Sequence, residues 1–172
     1  MTMNIMRTAA FLAAVISGHV IAADSVNVSV TGNIVASPCV FNGGNSRLDV
    51  NLGNIQATNM VTPGSLSDPV AFDLLFTLCP VGTRSVTATF SGTPDPVAGA
   101  GYYKNSGTAE NVAIAMMAMG SDVPLGTGSS LTQNIAADRT ATLPMQARVK
   151  SVAGGATPGT ISAAVVLTLQ YN

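Results

Sequence analysis

The chain has 172 residues, of which only 9% are charged, with 17 glycines, 9 prolines and no tryptophan. That profile is poor in Lys, Glu and Arg and rich in small and turn-forming residues, which disfavours a helical protein, and the length suits one domain with a single core. A net charge of −1 without any basic cluster argues against a nucleic-acid partner, because phosphates need a basic stripe to neutralise them.

Arg7 is a short positive n-region, and Thr8 to Ile16 is an apolar stretch. Val20-Ile21-Ala22 and Ile21-Ala22-Ala23 both place a small residue before a possible cut. Residues 1–22 are thus predicted to be a secretory signal, with a buried N-terminal helix as the alternative. Met1, Met3 and Met6 all offer a start. The apolar run is far below the roughly 20 residues that a membrane-spanning helix needs. Removing it also removes His19, the single histidine.

Cys39 and Cys79 remain, and in an oxidising compartment an even pair reads as a disulfide. Two free thiols or metal ligands are the alternative, but zinc would need further Cys or His partners. Without histidine, Ser-His-Asp and Cys-His arrangements are excluded. Asp68 with Asp73, and a Ser-Lys pair using Lys104, read as solvated surface. No catalytic, cofactor-binding or metal-binding residue is expected, and the chain is not expected to be an enzyme.

From Ala23 to Val35 the chain is predicted to be extended, with Val26, Val28, Val30, Gly32 and Ile34 alternating with polar residues. Ser37-Pro38-Cys39 breaks the run. Leu48, Val50 and Leu52 alternate with Asp49 and Asn51, predicting a short strand closed by Gly53. Ile55 to Asp68 is irregular, with a turn at Pro63-Gly64. In Val70 to Cys79, Phe72, Leu74 and Phe76 share a face, and Cys79 is one residue out of phase, as a bulge before the disulfide would produce. Val86, Ala88 and Phe90 mark another strand, ending at Gly92.

Thr93 to Gly101 reads as a loop. Asn111 to Met119 is apolar on both faces; helix competes there, but the flanking Gly107 and Gly120 favour strand. Asp122 to Asp138 reads as loop with one short apolar element around Leu125. Leu143, Met145, Ala147 and Val149 alternate, and Pro144 among them, lacking an N–H, predicts an edge position or a bulge. The last segment, Gly159 to Asn172, carries Ile161, Ala163, Val165, Leu167, Leu169 and Tyr171 in an unbroken period of two. Short strands at these spacings without helical crossovers predict an immunoglobulin-like sandwich.

A chain that ends on its strongest strand leaves that strand's outer edge without a downstream partner, and a long apolar edge is an association hazard unless covered. The run from Val26 to Ile34 is a candidate cover. Each of the two runs reads as half of a joint between neighbouring molecules; ordinary first and last strands of one domain are the alternative.

The residues also carry a family resemblance. The blocks Cys79-Pro80-Val81-Gly82-Thr83 through Ser91-Gly92, Gly101-Tyr102-Tyr103-Lys104-Asn105 with Gly107 to Asn111, and Gly154-Gly155-Ala156-Thr157 to Ile161 resemble the subunits of chaperone–usher fimbriae, most nearly the minor tip subunits of type 1 fimbriae. Penultimate Tyr171 and Gly159, fourteenth from the C-terminus, fit the same pattern. The similarity spans essentially the mature chain and departs mainly in Thr93 to Gly101 and Asp122 to Asp138.

The resemblance implies an all-β, incomplete immunoglobulin-like pilin domain (residues 35–172) lacking its last strand, behind an N-terminal donor-strand extension (residues 23–34). By this analogy a periplasmic pilus chaperone first fills a groove beside the terminal strand, an outer-membrane usher mediates assembly, and a neighbour's extension then replaces the chaperone. Val26, Val28, Val30, Gly32 and Ile34 would be the donor residues, with Gly32 where the groove is too tight for a side chain. Gly159, Ile161, Ala163, Val165, Leu167, Leu169 and Tyr171 would form the acceptor groove and chaperone contact. The expected role is a structural tip adaptor supporting cell adhesion, exported through the periplasm to the cell surface and joined to neighbouring subunits including the tip adhesin. A major rod subunit is the alternative. A receptor-binding adhesin fits poorly, since it would need a further domain and would lack the extension.

Overall fold

The computed structural model describes residues 25–34 and 37–172. The predicted signal segment 1–22 and the boundary residues 23, 24, 35 and 36 lie outside that set. The described part of the body contains β1 (Val40–Phe41), β2 (Val70–Thr77), β3 (Ser85–Gly92), β4 (Pro94–Asp95), β5 (Gly99–Lys104), β6 (Val112–Ala118), β7 (Ser130–Asn134), β8 (Ala141–Ser151) and β9 (Val165–Tyr171). One sheet has the order β1-β2-β8-β6-β5-β4 and the other β7-β3-β9. Every pairing is antiparallel.

Alternation decides which faces meet. Leu74 and Phe76 of β2, with Leu143 and Met145 of β8, are buried against Val86, Ala88 and Phe90 of β3. Their neighbours Asp73, Leu75, Thr142 and Pro144 are exposed. The core therefore lies between the two sheets, as in an immunoglobulin-like sandwich. A second cluster joins Met60, Ala109, Val112 and Val149, with Leu52, Ile55, Ala156 and Ile161 packed on it. β6 is a strand, not a helix. It lies between β8 and β5, and burial of Val112 to Ala115 and Met117 accounts for its apolar residues on both faces.

The Cys39–Cys79 disulfide is present, with Cα atoms 4.2 Å apart. Cys79 reaches it by a different route from the expected bulge. β2 ends at Thr77, Leu78 takes a left-handed φ of 51°, and the chain then turns Cys79 into the core. Such a φ costs a non-glycine residue about 1–2 kcal/mol.

Four other expectations change. Thr93 to Gly101 is not a plain loop: it holds β4 and starts β5. Asp122 to Asp138 contains β7, which pairs with β3 from Ser85↔Asn134 to Thr89↔Ser130. Leu48 to Leu52 is not a paired strand. Pro144 sits in β8, a central strand, rather than at an edge or bulge. Its carbonyl accepts from Met119 N at 2.9 Å, one residue past the end of β6. The missing proline N–H thus points to the side where β6 has finished, and the β2–β8 ladder is untouched.

Candidate functional site: an open groove along the terminal strand

β9 pairs with β3 on one side, and among the described residues no strand pairs with its other side. The phase is fixed at the end of the ladder, where Asn172 N donates to Ser85 O (3.0 Å) and Ser85 N donates to Asn172 O (3.1 Å). Hydrogen-bonded pairs recur at every second residue of an antiparallel ladder. Val166, Thr168 and Gln170 therefore face β3, and Val165, Leu167, Leu169 and Tyr171 turn their N–H and C=O groups to the open edge.

The same phase runs back through the preceding residues, which change neighbours. Ser106 N donates to Ser162 O (2.8 Å), and Ala109 N donates to Thr160 O (3.0 Å). That leaves Ile161 and Ala163 on the open edge too. Side-chain bonds reinforce this clasp. Asn105 Oδ1 accepts from Gly107 N (3.0 Å) and Ser162 N (2.8 Å), and Asn105 Nδ2 donates to Ala109 O (2.8 Å). Thr160 N donates to Thr108 Oγ1, and Thr108 N donates to Thr160 Oγ1.

Ile161, Ala163, Val165, Leu167, Leu169 and Tyr171 are all half-buried, and the residues between them are exposed. Each of the six thus offers an unpaired backbone edge and an incompletely covered apolar side chain. The facing wall is residues 46–54. There Leu48, Val50 and Leu52 are half-buried, whereas Arg47 and Asp49 are exposed and paired with each other at 2.8 Å. Leu48 to Leu52 form no backbone–backbone hydrogen bond among the described residues. Phe41, Phe72, Leu74, Ile114, Met116 and Ala147 line the space between, about 1000 Å³.

Gly159 lies at one end of this groove, but contact with the body sets its size. A Cβ there would stand 2.4 Å from Ala109 N, and one on Gly107 would stand 2.1 Å from Thr160 O. The two glycines allow the backbones to approach closely enough for the clasp to form. Sequence reasoning gave the terminal strand's face but missed the opposing wall's role, the floor residues and Asn105. The wall's signal was present as the Leu48-Val50-Leu52 alternation.

The predicted N-terminal extension is described from Ser25 to Ile34, without regular secondary structure. Val26, Val28, Val30 and Ile34 are 80%, 80%, 89% and 105% exposed, and a Cβ on Gly32 would have nothing within 4 Å. Tyr102, half-buried, stacks under Lys150, whose Nζ lies 4.4 Å from the ring centroid. Tyr103 is buried and donates to Leu125 O at 2.8 Å, and burial pushes its phenol up to about 12. Burial also raises the Tyr171 phenol. Among the described residues no His/Cys/Asp/Glu cluster could hold a metal, and no helix is long and apolar enough to cross a membrane. What the groove offers is apolar surface and backbone hydrogen bonding.

A model for fimbrial proteins matches residues 28–172. The chain belongs to the fimbrial protein family. This fimbrial subunit is 37% identical over 164 residues to Protein FimG of Escherichia coli strain K12, covering 95% of this chain and 94% of that one. It is 39% identical over 144 residues to the fimbrial-like protein YdeR of the same strain, covering 83% of each. Its fold matches a subunit in the structure of a chaperone–usher pilus with a TM-score of 0.64 at 22% identity, covering 90% of this chain and 100% of that one. The chain is therefore a fimbrial subunit by its family, and it shares the fold of a subunit from a chaperone–usher pilus.

Proposed function

We propose that this subunit is joined to its neighbours by donor-strand complementation. The groove accepts an extended apolar strand from another molecule, and the extension Val26 to Ile34 supplies one in turn. The observation that supports this most is the row Ile161 to Tyr171, where unpaired backbone and half-buried aliphatic side chains coincide along an open groove. An alternating strand satisfies both at once: its inward residues fill the space, and its backbone bonds to both walls.

The magnitudes suffice for a durable joint. Burying Val26, Val28, Val30 and Ile34 contributes roughly 6–12 kcal/mol gross, and each new ladder bond adds about 0.5–1.5 kcal/mol net. Ordering the extension subtracts from this. Before assembly, a periplasmic chaperone lending a strand would protect the same groove, and an outer-membrane usher would mediate the exchange.

In the fibre the subunit acts as a minor tip adaptor between the tip adhesin and the remaining subunits, supporting adhesion. The similarity of its Tyr102-to-Asn111 block to minor tip subunits favours this over a major rod subunit. Deleting residues 23–34 is the test. The truncated chain should still be captured by its chaperone through the groove but fail to extend a fibre; continued incorporation with outward growth would sink the donor-strand reading. Copy number in isolated fimbriae separates the roles, with one or a few copies expected and hundreds contradicting an adaptor.

A further inference from the structure

We infer that Leu78 and Val81, flanking the disulfide, form a body-to-body contact with the subunit whose groove receives this chain's extension. The inference rests on the donor-strand reading above and adds a second contact to the joint.

Leu78 and Val81 are 68% and 90% exposed, on either side of a fully buried Cys79. The turn of the chain at Leu78 is explained by Cys79, which must enter the core to reach Cys39. The leucine side chain is not explained by it. At an exposed left-handed position (φ 51°) Gly or Asn is less strained, and most of the Leu78 side chain is left uncovered by its own body. Val81 is likewise the first central residue of a turn closed by Thr83 N to Pro80 O (3.2 Å). Gly82 follows at φ 95°. That turn geometry makes no demand for an aliphatic residue at Val81.

Connectivity identifies the occupant. From Ile34, the last donor residue, to Cys39 is a span of five residues (39 − 34), at most about 17 Å of extended chain. Cys79 lies 4.2 Å from Cys39, Cα to Cα. A body of this size has a diameter of roughly 35–40 Å. The leash is therefore shorter than the body it holds, and a neighbour seated on Val26 to Ile34 must rest close to the end of the sandwich where the disulfide lies. Leu78 and Val81 are exposed aliphatic groups within two residues of Cys79. The partner surface is the mouth of that neighbour's groove, meeting them through apolar contact.

Two measurements test this. Hydroxyl-radical footprinting should show Leu78 and Val81 oxidised in the free subunit and about fivefold or more protected in isolated fibres. Equal oxidation in both states would overturn the contact. The Leu78→Asn/Val81→Ser variant should enter fibres, but its joint to the receiving subunit should dissociate in detergent about tenfold faster. A rate within twofold of the parent would also overturn it. The unfolding midpoint of the variant should be unchanged or higher, since Asn relieves left-handed strain, and this separates a contact effect from misfolding. Absence of the parent chain from fibres altogether would instead refute the donor-strand reading on which the contact depends.

Discussion

Gly159→Ala tests whether the groove's geometry depends on the clasp at its end. A Cβ at Gly159 would stand 2.4 Å from Ala109 N, 2.7 Å from Thr108 C and 2.8 Å from Ala109 Cα, all backbone atoms without rotamer freedom. Ordinary contact begins near about 3.5 Å, so the two backbones must separate by roughly 1 Å. Bonds of 3.0 Å (Ala109 N to Thr160 O) and 2.9 Å (Thr160 N to Thr108 Oγ1) do not survive that displacement. Overpacking costs about 1–3 kcal/mol, and the two bonds add about 1 kcal/mol each. The expected loss is about 3–5 kcal/mol, read from urea unfolding of the mature chain. Gly101→Ala is the matched control, because its Cβ would meet Pro124 Cβ at 3.4 Å, and it should cost much less. A Gly159→Ala variant within about 1 kcal/mol of the parent would refute the close-approach argument.

Val30→Ala removes two methyl-sized groups from a side chain 89% exposed in the subunit. It should leave body stability unchanged but weaken the joint by about 2–3 kcal/mol, a roughly 30- to 150-fold faster subunit release; an unchanged release rate would count against insertion of this residue. Replacing Cys39 and Cys79 with Ser opens a 40-residue separation worth about 4 kcal/mol in the chain-entropy model, measurable by denaturation with and without reductant. For Tyr103, burial favours the neutral phenol, so the unfolded chain releases that proton near pH 10 and the folded chain near 12. Its contribution is complete below pH 10 and lost as pH rises to 12, about 2–3 kcal/mol in all. Tyr103→Phe should flatten that part of the pH–stability curve, with the raised Tyr171 phenol leaving a residual slope.

Alternation reported burial faithfully and pairing poorly. Ile161 to Tyr171 and Leu48 to Leu52 both carry a strand's period of two, yet only Val165–Tyr171 is assigned as strand, and Leu48 to Leu52 have no ladder. The period records which side chains face the core, whereas a ladder also needs a neighbour, and among the described residues none pairs with the groove side of either wall. β7 escaped for the opposite reason. Ser130-Leu131-Thr132-Gln133-Asn134 has ladder partners but one aliphatic residue, so an outer strand of the smaller sheet leaves almost no hydrophobic pattern. Pro144 misled because a lost N–H forbids a central strand only where a neighbour needs it, and β6 ends just before that point. Gly159 was legible as special, but its reason, a backbone two residues beyond the Gly107 turn, requires the tertiary contact.

Amide hydrogen exchange measured residue by residue tests the central claim most directly. In the unassembled subunit, the amides of Val166, Thr168 and Gln170 face β3 and should already be protected, whereas those of Ile161, Ala163, Val165, Leu167, Leu169 and Tyr171 should exchange freely. Assembly into fibres should then slow the second set by at least about a hundredfold and change the first set little, because on the terminal strand an inserted neighbour reaches only the open edge. Rapid exchange at Val165, Leu167 and Leu169 in intact fibres would mean that no strand occupies the groove, contradicting the account.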